Sequence, residues 1–373
     1  MQCLVWLVAL APGGFGMLTG LVVGKFAPLH KGHEALIAFA RAQCDRLVIL
    51  SYSKPELPGC PPERRAAWLA ALFPDAVRLV LDDAALAAFE ARTGEPPRNL
   101  PDNDAPDEAH RSFVAWVCRR MLGHTVDRVF TSEAYGDGFA ASLARHFDHP
   151  VAHVLFDRPR ARVPISGTRL RADPGLHADF LSPVVRRDLI RRVVLLGGES
   201  TGKSTLAAAL AERLGTCWVP EYGRELWELR GGNLDFVDLL AIAREQIARE
   251  DAARDGARRW LVCDTSPLVT MFYCEAMFVR VDPELRKLAG RPYDATLLCA
   301  GDFPFVQDGT RQDEAFRDRQ DSWYRDRLAR AGTAYRVMRG ALPARVETAA
   351  CHLADLDRER HSEAAPSDPS QAS

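Results

Sequence analysis

Arg192-Val193-Val194-Leu195-Leu196-Gly197-Gly198-Glu199-Ser200-Thr201-Gly202-Lys203-Ser204 is the stretch that decides the fold of half this chain. Its first five residues form a short, mostly apolar run, the pattern of a buried strand. A glycine-rich turn follows, and Ser204–Leu214 then shows helical spacing. The turn fits G-x-x-x-x-G-K-[ST] between a strand and a helix, the context that this pattern needs. The glycines let successive backbone N–H groups curl around a phosphate, and the helix N-terminus adds partial positive charge. Gly197, Glu199, Ser200, Thr201, Gly202, Ser204 and Thr205 are therefore expected to line ATP. Lys203 is expected to place its ammonium on the β- and γ-phosphates, and Ser204 to ligate Mg²⁺. Such a unit belongs to a parallel α/β sheet.

Working outward toward the C-terminus, Arg259–Cys263 and Thr296–Cys299 read as further buried strands. Asp264 ends the first of these. A carboxylate at a strand end beside such a loop suits a Mg²⁺-linked ligand or a general base. The alternative is that it caps the next helix. Glu221, Tyr222 and Arg224 follow the strand-like CWVP and are expected to face the acceptor; a solvated helix start is the competing reading. Phe303–Arg311 followed by the charged helix Asp313–Arg330 reads as a lid, with Arg311, Arg317 or Arg319 closing over the γ-phosphate.

Working toward the N-terminus, a second α/β pattern appears. Leu18–Val23, Arg46–Ser51, Val77–Leu81 and Val126–Thr131 read as strands, separated by helical segments. Asp82–Ala109 reads as a long polar surface segment around a short helix. After the first strand comes Gly24-Lys25-Phe26-Ala27-Pro28-Leu29-His30-Lys31-Gly32-His33. Two imidazoles three residues apart at a helix start can both reach an anion lodged there. They suit in-line displacement at an α-phosphate, where charge develops on the phosphoryl oxygens. Ile165-Ser166-Gly167-Thr168-Arg169-Leu170-Arg171 lies near the far end of the same half. Ser166 and Thr168 can donate to phosphate oxygens, and Arg171 can clamp them. Either motif alone has a plain alternative: two loop histidines, or a capped helix start. Together, in this order, they point to one site.

The remaining sequence sets limits. The 373 residues are 47% hydrophobic and 26% charged, with a formal net charge of −2. Those values exclude a disordered chain, a multi-spanning membrane protein and a globally basic nucleic-acid binder. Of 48 basic residues only five are lysine, so arginine is the default cation here. The nine cysteines form no CxxC pair or metal-ligand spacing and read as thiols of a reducing, cytoplasmic compartment. Met1–Gly16 is apolar but lacks the basic start of a signal peptide, and is expected to be a start-site overextension or loose tail. The domain expectation is residues 17–185, residues 186–355 and a disordered tail at 356–373.

These motifs carry a family resemblance. GKFAPLHKGH with ISGTRLR, and Ser132-Glu133 in the stretch SEAYG, resemble nicotinamide mononucleotide adenylyltransferases. GGESTGKST, PEYGRE, CDTS and PFVQDGTR resemble ribosylnicotinamide kinases. In tandem they resemble the bifunctional proteins of bacterial NAD biosynthesis and salvage. The resemblance implies two doubly wound α/β domains, a Rossmann-like nucleotidyltransferase and then a P-loop kinase. It implies ATP, nicotinamide riboside, its mononucleotide NMN and NAD as ligands, and Mg²⁺ as cofactor. Gly24, Lys25, Phe26, Ser132, Glu133, Ser166 and Thr168 would bind ATP in the first domain. His30, His33 and Arg171 would act there, as Lys203 and Asp264 would in the second, with Glu221, Tyr222 and Arg224 on the substrate. Some family members begin with a helix-turn-helix domain; only about 16 residues precede the first strand here, so repressor function is not implied. Neither a nucleic-acid nor a membrane partner is expected, and oligomeric state is left open. The alternatives are a kinase whose adenylyltransferase half is degenerate or takes another acceptor, and a nucleotide-sensing regulator without turnover.

Overall fold

The computed structural model describes residues 17–172, 175, 177–305 and 312–364, the last helix with side chains to 359. The chain divides into two compact units, one up to Arg186 and one from Arg187 to Ser362.

The first unit runs β1 (Thr19–Val23), α1 (Lys31–Arg41), β2 (Arg46–Tyr52), α2 (Pro62–Leu72), β3 (Val77–Leu81), α3 (Asp83–Thr93) and α4 (Asp107–Trp116). A π-helical turn, Val117–Leu122, continues α4. Then follow β4 (Arg128–Thr131), α5 (Gly136–Phe147), β5 (Ala152–Leu155) and α6 (Gly167–Ala172), and the boundary between the units falls within α7 (Pro183–Leu189). All strand pairs are parallel, in the order β3-β2-β1-β4-β5. Strands covered on both faces need continuous apolar runs. The buried residues Leu47, Val48, Ile49 and Leu50 of β2 meet that need. Chain order reverses between β1 and β4, which opens a crevice at the strand C-termini, where doubly wound sheets bind ligands.

The second unit runs β6 (Arg191–Leu196), α8 (Lys203–Leu214), β7 (Trp218–Val219), α9 (Tyr222–Leu229), α10 (Phe236–Ala253), β8 (Trp260–Asp264) and α11 (Pro267–Phe278). It continues with α12 (Pro283–Ala289), β9 (Ala295–Cys299), α13 (Glu314–Arg330), β10 (Arg336–Met338) and α14 (Leu342–Ala364). Its parallel sheet has the order β10-β9-β6-β8-β7, with β6 at the centre. No described helix is long and apolar enough to cross a membrane.

Three sequence expectations change. The tail from 356 is not wholly irregular: α14 runs to Ala364. Asp357 anchors it, accepting from Arg191 Nη1 at 2.9 Å, Arg259 Nη1 at 3.2 Å and Trp260 Nε1 at 3.2 Å. No glycine or proline interrupts the stretch before Pro366, so the helix has no stop signal. The segment 82–109 is not merely superficial: α3 spans 11 residues and buries Leu86 and Phe89, and Leu100 beyond it is also buried. Third, β5 and β10 had no apolar run to announce them. Both are short; β5 is half exposed, and only Met338 of β10 is fully buried. Residues 1–16, 306–311 and 365–373 lie outside the described residues, and with them the N-terminal extension and Arg311.

Two candidate phosphate sites

In the first unit, His30 is the N-cap of α1. Its Nδ1 accepts from the backbone N–H of Gly32 at 3.1 Å and of His33 at 3.3 Å. Both bonds require a lone pair on Nδ1, so the neutral ring carries its proton on Nε2. Glycine at 32 permits this arrangement: a Cβ there would lie 3.0 Å from the His30 ring. The His33 ring stacks on His30 with centroids 3.6 Å apart, and Phe26 meets its edge at 5.1 Å. Burial, and then the charges of Arg160 and Arg171, hold His30 down to about 4. His33 is held well below its ordinary value by burial, with His30, Arg160 and Arg171 adding to it. Both imidazoles are therefore neutral near pH 7 and offer N–H donors rather than positive charge.

These rings face a cavity of about 590 Å³ at the C-terminal ends of the strands. Gly24, Lys25 and Phe26 line it from the loop after β1, Ser132 and Glu133 from the loop after β4, and Ser166, Thr168 and Arg171 from around α6. The structure thus brings together every residue that the sequence singled out in this half. Arg171 donates to the Ala27 carbonyl at 2.8 Å and to Thr168 Oγ1 at 3.3 Å. Ser166 Oγ accepts from the Arg169 N–H at 3.2 Å, so it caps α6. Lys25 faces the same space, its ammonium destabilised by burial and by Arg171. Tyr52, Asn103, His110 and Arg160 also line the cavity and were not singled out by sequence. The Tyr52 hydroxyl and His110 Nδ1 are 2.9 Å apart.

In the second unit the loop after β6 is tightly fitted. Gly197 has φ +143°, and a Cβ on it would come within 2.6 Å of the Cys299 carbonyl oxygen, so only glycine fits. Ser200 and Gly202 also take positive φ, at 56° and 77°. Lys203 Nζ donates to the carbonyls of Gly197 at 3.0 Å and Gly198 at 2.9 Å. Thr201 Oγ1 donates to Gly198 O at 2.8 Å. Ser204 and Thr205 occupy the first turn of α8.

Asp264 closes β8 and is 1% exposed. Burial raises its carboxyl, opposed by a hydrogen bond from Ser204 and by the Lys203 charge. Its Oδ1 has no hydrogen-bond partner among the described residues. The cap of α11 is Ser266, which accepts from the Leu268 N–H at 3.3 Å, so Asp264 is not spent on that task. Glu221 also feels Lys203: burial raises its carboxyl and the ammonium opposes the rise. Glu221 lies 3.9 Å from Arg224, and the ring of Tyr222 is covered by Arg249 at 4.3 Å.

Two expectations are revised here. Glu199 is committed within the protein: Oε1 accepts from Tyr273 at 2.8 Å, Oε2 from the Gln312 N–H at 2.7 Å, and its own N–H donates to Gln320 Oε1 at 2.7 Å. Its side chain braces the loop. Arg317 is not a mobile lid residue. It is 4% exposed, ion-pairs with Glu314, donates to Phe303 O at 3.0 Å and walls Gly198. Arg319 lies over the Phe316 ring at 5.0 Å.

Sequence reading also missed one brace in each unit. Arg65 of α2 donates to Lys25 O at 3.2 Å and Ser51 Oγ at 2.9 Å, and forks onto Glu56 at 2.6 and 2.8 Å. Arg345 of α14 donates to Thr201 O at 2.8 Å and Ala300 O at 3.1 Å, ion-pairs with Asp302 and lies over the Phe303 ring at 4.2 Å. Both side chains are fully buried. No cluster of three or more metal-ligating side chains occurs among the described residues.

Comparison with known proteins is consistent with this geometry. A family described as an AAA domain matches residues 192–345. The Escherichia coli K12 protein named trifunctional NAD biosynthesis/regulator protein NadR is 29% identical over 315 residues, covering 81% of this chain and 73% of its own. Its Salmonella typhimurium LT2 counterpart is 29% identical over 306 residues, covering 78% and 71%. Crystal structures of NadR protein, one with NR and one with NAD and AMP-PNP, match with TM-scores of 0.62 and 0.63 at 21% identity. Each covers 93% of this chain and 97% of its own, which speaks for the shared two-sheet fold. This chain is thus similar to the NadR proteins in sequence along four-fifths of its length, and similar to their solved structures in fold.

Proposed function

We propose that this chain makes NAD in two ATP-dependent steps, one per unit. The observation that carries the reading is two loops of different chemistry, one in each unit: a glycine-rich lysine loop after β6 and a paired-histidine loop after β1 that faces a cavity. The name of the relatives supplies the pathway, NAD biosynthesis.

In the second unit the 5′-hydroxyl of nicotinamide riboside attacks the γ-phosphorus of ATP. The bond to the β-γ bridging oxygen breaks and ADP leaves, giving NMN. Asp264, buried and with an open lone pair, takes the hydroxyl proton. Lys203 leaves the Gly197 and Gly198 carbonyls and neutralises phosphate oxygens. Glu221, Tyr222 and Arg224 position the riboside. Gly197, Ser200, Thr201, Gly202 and Thr205 shape the phosphate cradle. Mg²⁺ fits this site: Ser204 stands beside the Asp264 carboxylate, and Ser204, with Asp264 acting through water, would hold it. When bound, the ion supplies charge neutralisation to the phosphates.

In the first unit a phosphate oxygen of NMN attacks the α-phosphorus of a second ATP, and pyrophosphate leaves, giving NAD. The Nε2–H of His30 and the imidazole of His33 stabilise negative charge on the α-phosphoryl oxygens. Arg171, Lys25, Ser166 and Thr168 hold the triphosphate, while Gly24, Phe26, Ser132 and Glu133 shape the cavity around the nucleotide. The test is to incubate purified protein with ATP, Mg²⁺ and either the riboside or NMN, separating products by chromatography. NAD should form from both; no NAD from NMN would refute the adenylyl transfer assigned to the first unit, and NAD from NMN but not from the riboside would refute the phosphorylation assigned to the second.

A further inference from the structure

Arg160 stands out in the first cavity because no motif predicted it and the backbone holds it under strain. It ends the turn Asp157-Arg158-Pro159-Arg160, in which its N–H donates to Asp157 O at 2.8 Å. Asp157 and Arg160 both sit in the left-handed region, with φ of +42° and +54°. That region favours glycine, and non-glycine residues are retained there when the surroundings over-determine them, often at ligand clamps. The surroundings here are explicit. The Asp157 carboxylate accepts from the N–H groups of Ala161 and Arg162, both at 2.9 Å, which locks the turn.

The lock aims a cation at the cavity. Arg160 lines it and acts on both His30 and His33, lowering the proton affinity of each. The neighbouring Arg162 is used otherwise, over the Phe156 ring at 5.3 Å. Arg171 already spends donors on Ala27 and Thr168. The ion pair found for Arg160 is with Glu133 at 3.4 Å, both side chains being well exposed. Such a pair is worth no more than about a fivefold bias in an equilibrium. A triphosphate, carrying several negative charges into the same space, outcompetes one exposed carboxylate.

We propose that Arg160 clamps the triphosphate opposite the two histidines, and that Glu133 is the anion which holds its guanidinium while the cavity is empty. This rests on the adenylyltransferase reading of the cavity. It gives Glu133 the role of a placeholder rather than a nucleotide ligand.

The test exploits the strained φ. Arg160→Gly removes the guanidinium and suits the left-handed backbone, so thermal stability should stay level or rise. The KM for ATP in NAD formation from NMN should nevertheless rise at least about tenfold, the loss of a charged hydrogen bond. Arg160→Lys should recover part of it. Glu133→Gln should lower that KM by up to about fivefold. Phosphorylation of the riboside should be unchanged in all three. A folded Arg160→Gly protein with KM within twofold of wild type overturns the clamp. A raised KM in Glu133→Gln overturns the placeholder. If wild type itself made no NAD from NMN, the underlying reading would fail instead, and the three variants would not be needed to show it.

Discussion

The two phosphate loops solve one problem with opposite electrostatics. The loop after β6 keeps a charged lysine in place, its ammonium satisfied by the Gly197 and Gly198 carbonyls. The loop after β1 keeps two imidazoles neutral, because burial and flanking guanidiniums disfavour their protonation. A point charge suits the γ-phosphoryl group, where a full charge moves with the transferred group. Neutral N–H donors suit an α-phosphorus with charge distributed over its oxygens, provided that arginines outside the rings carry the rest. Yet both loops are held from behind in the same way. A fully buried arginine from a distant helix donates to a loop carbonyl, Arg65 to Lys25 and Arg345 to Thr201. The difference lies in the chemistry of the front, and the likeness in the mechanics of the back.

That contrast can be broken most directly at the front. Lys203→Ala should lower riboside phosphorylation by roughly 10²–10³-fold while sparing NAD formation from NMN. His33→Ala should do the reverse, with a loss of roughly 10²-fold. Either substitution abolishing both reactions in a folded protein would contradict two independent sites.

The shared back is tested next. Arg65→Met should destabilise the first unit and Arg345→Met the second, each by about 1–3 kcal/mol, because carbonyl and carboxylate acceptors lose their donor. Each should slow only its own reaction. Denaturant unfolding of the two variants, set beside the two assays, reads both effects; equal slowing of both reactions by one variant would refute the pairing.

The most specific effect is in pH. Lowering the proton affinity of His30 from the ordinary 6.5 to about 4 means that the unfolded chain binds a proton first as pH falls. The stability this residue permits is complete above pH 6.5 and is lost progressively between 6.5 and about 4. The loss is about 3 kcal/mol over that window. His30→Asn still caps a helix but does not titrate there. Calorimetry of this variant should show a shallower fall of the first unit's unfolding temperature with acid. An unchanged slope would mean that His30 is not held neutral.

Much of this was legible in sequence because it is local. A strand, a glycine turn and a helix start lie within a dozen residues, so residue types alone specify Gly197–Ser204 and Lys25–His33. The apolar runs placed eight of the ten described strands for the same reason, while β5 and β10 escaped because a short strand with little burial has no apolar signature. Asp264 was left between two roles, and the Ser266 cap on α11 shows it was not needed there.

Other features required the chain to be folded. Arg65 and Arg345 reach their carbonyls across 40 and 144 residues, and Arg160 meets Glu133 across 27. Nothing local distinguishes these three from their many fellow arginines in a chain with only five lysines. Glu199 and Arg317, read from sequence as nucleotide and lid residues, became braces because folding put Tyr273, Gln320 and Phe303 within their reach. The sequence by itself determined where the two candidate phosphate loops lie, since such a loop is set by consecutive backbone N–H groups and the residues among them. Only the tertiary structure decided which charges face that phosphate and which stand behind it, since burial and partner distance are properties of residues far apart in the chain.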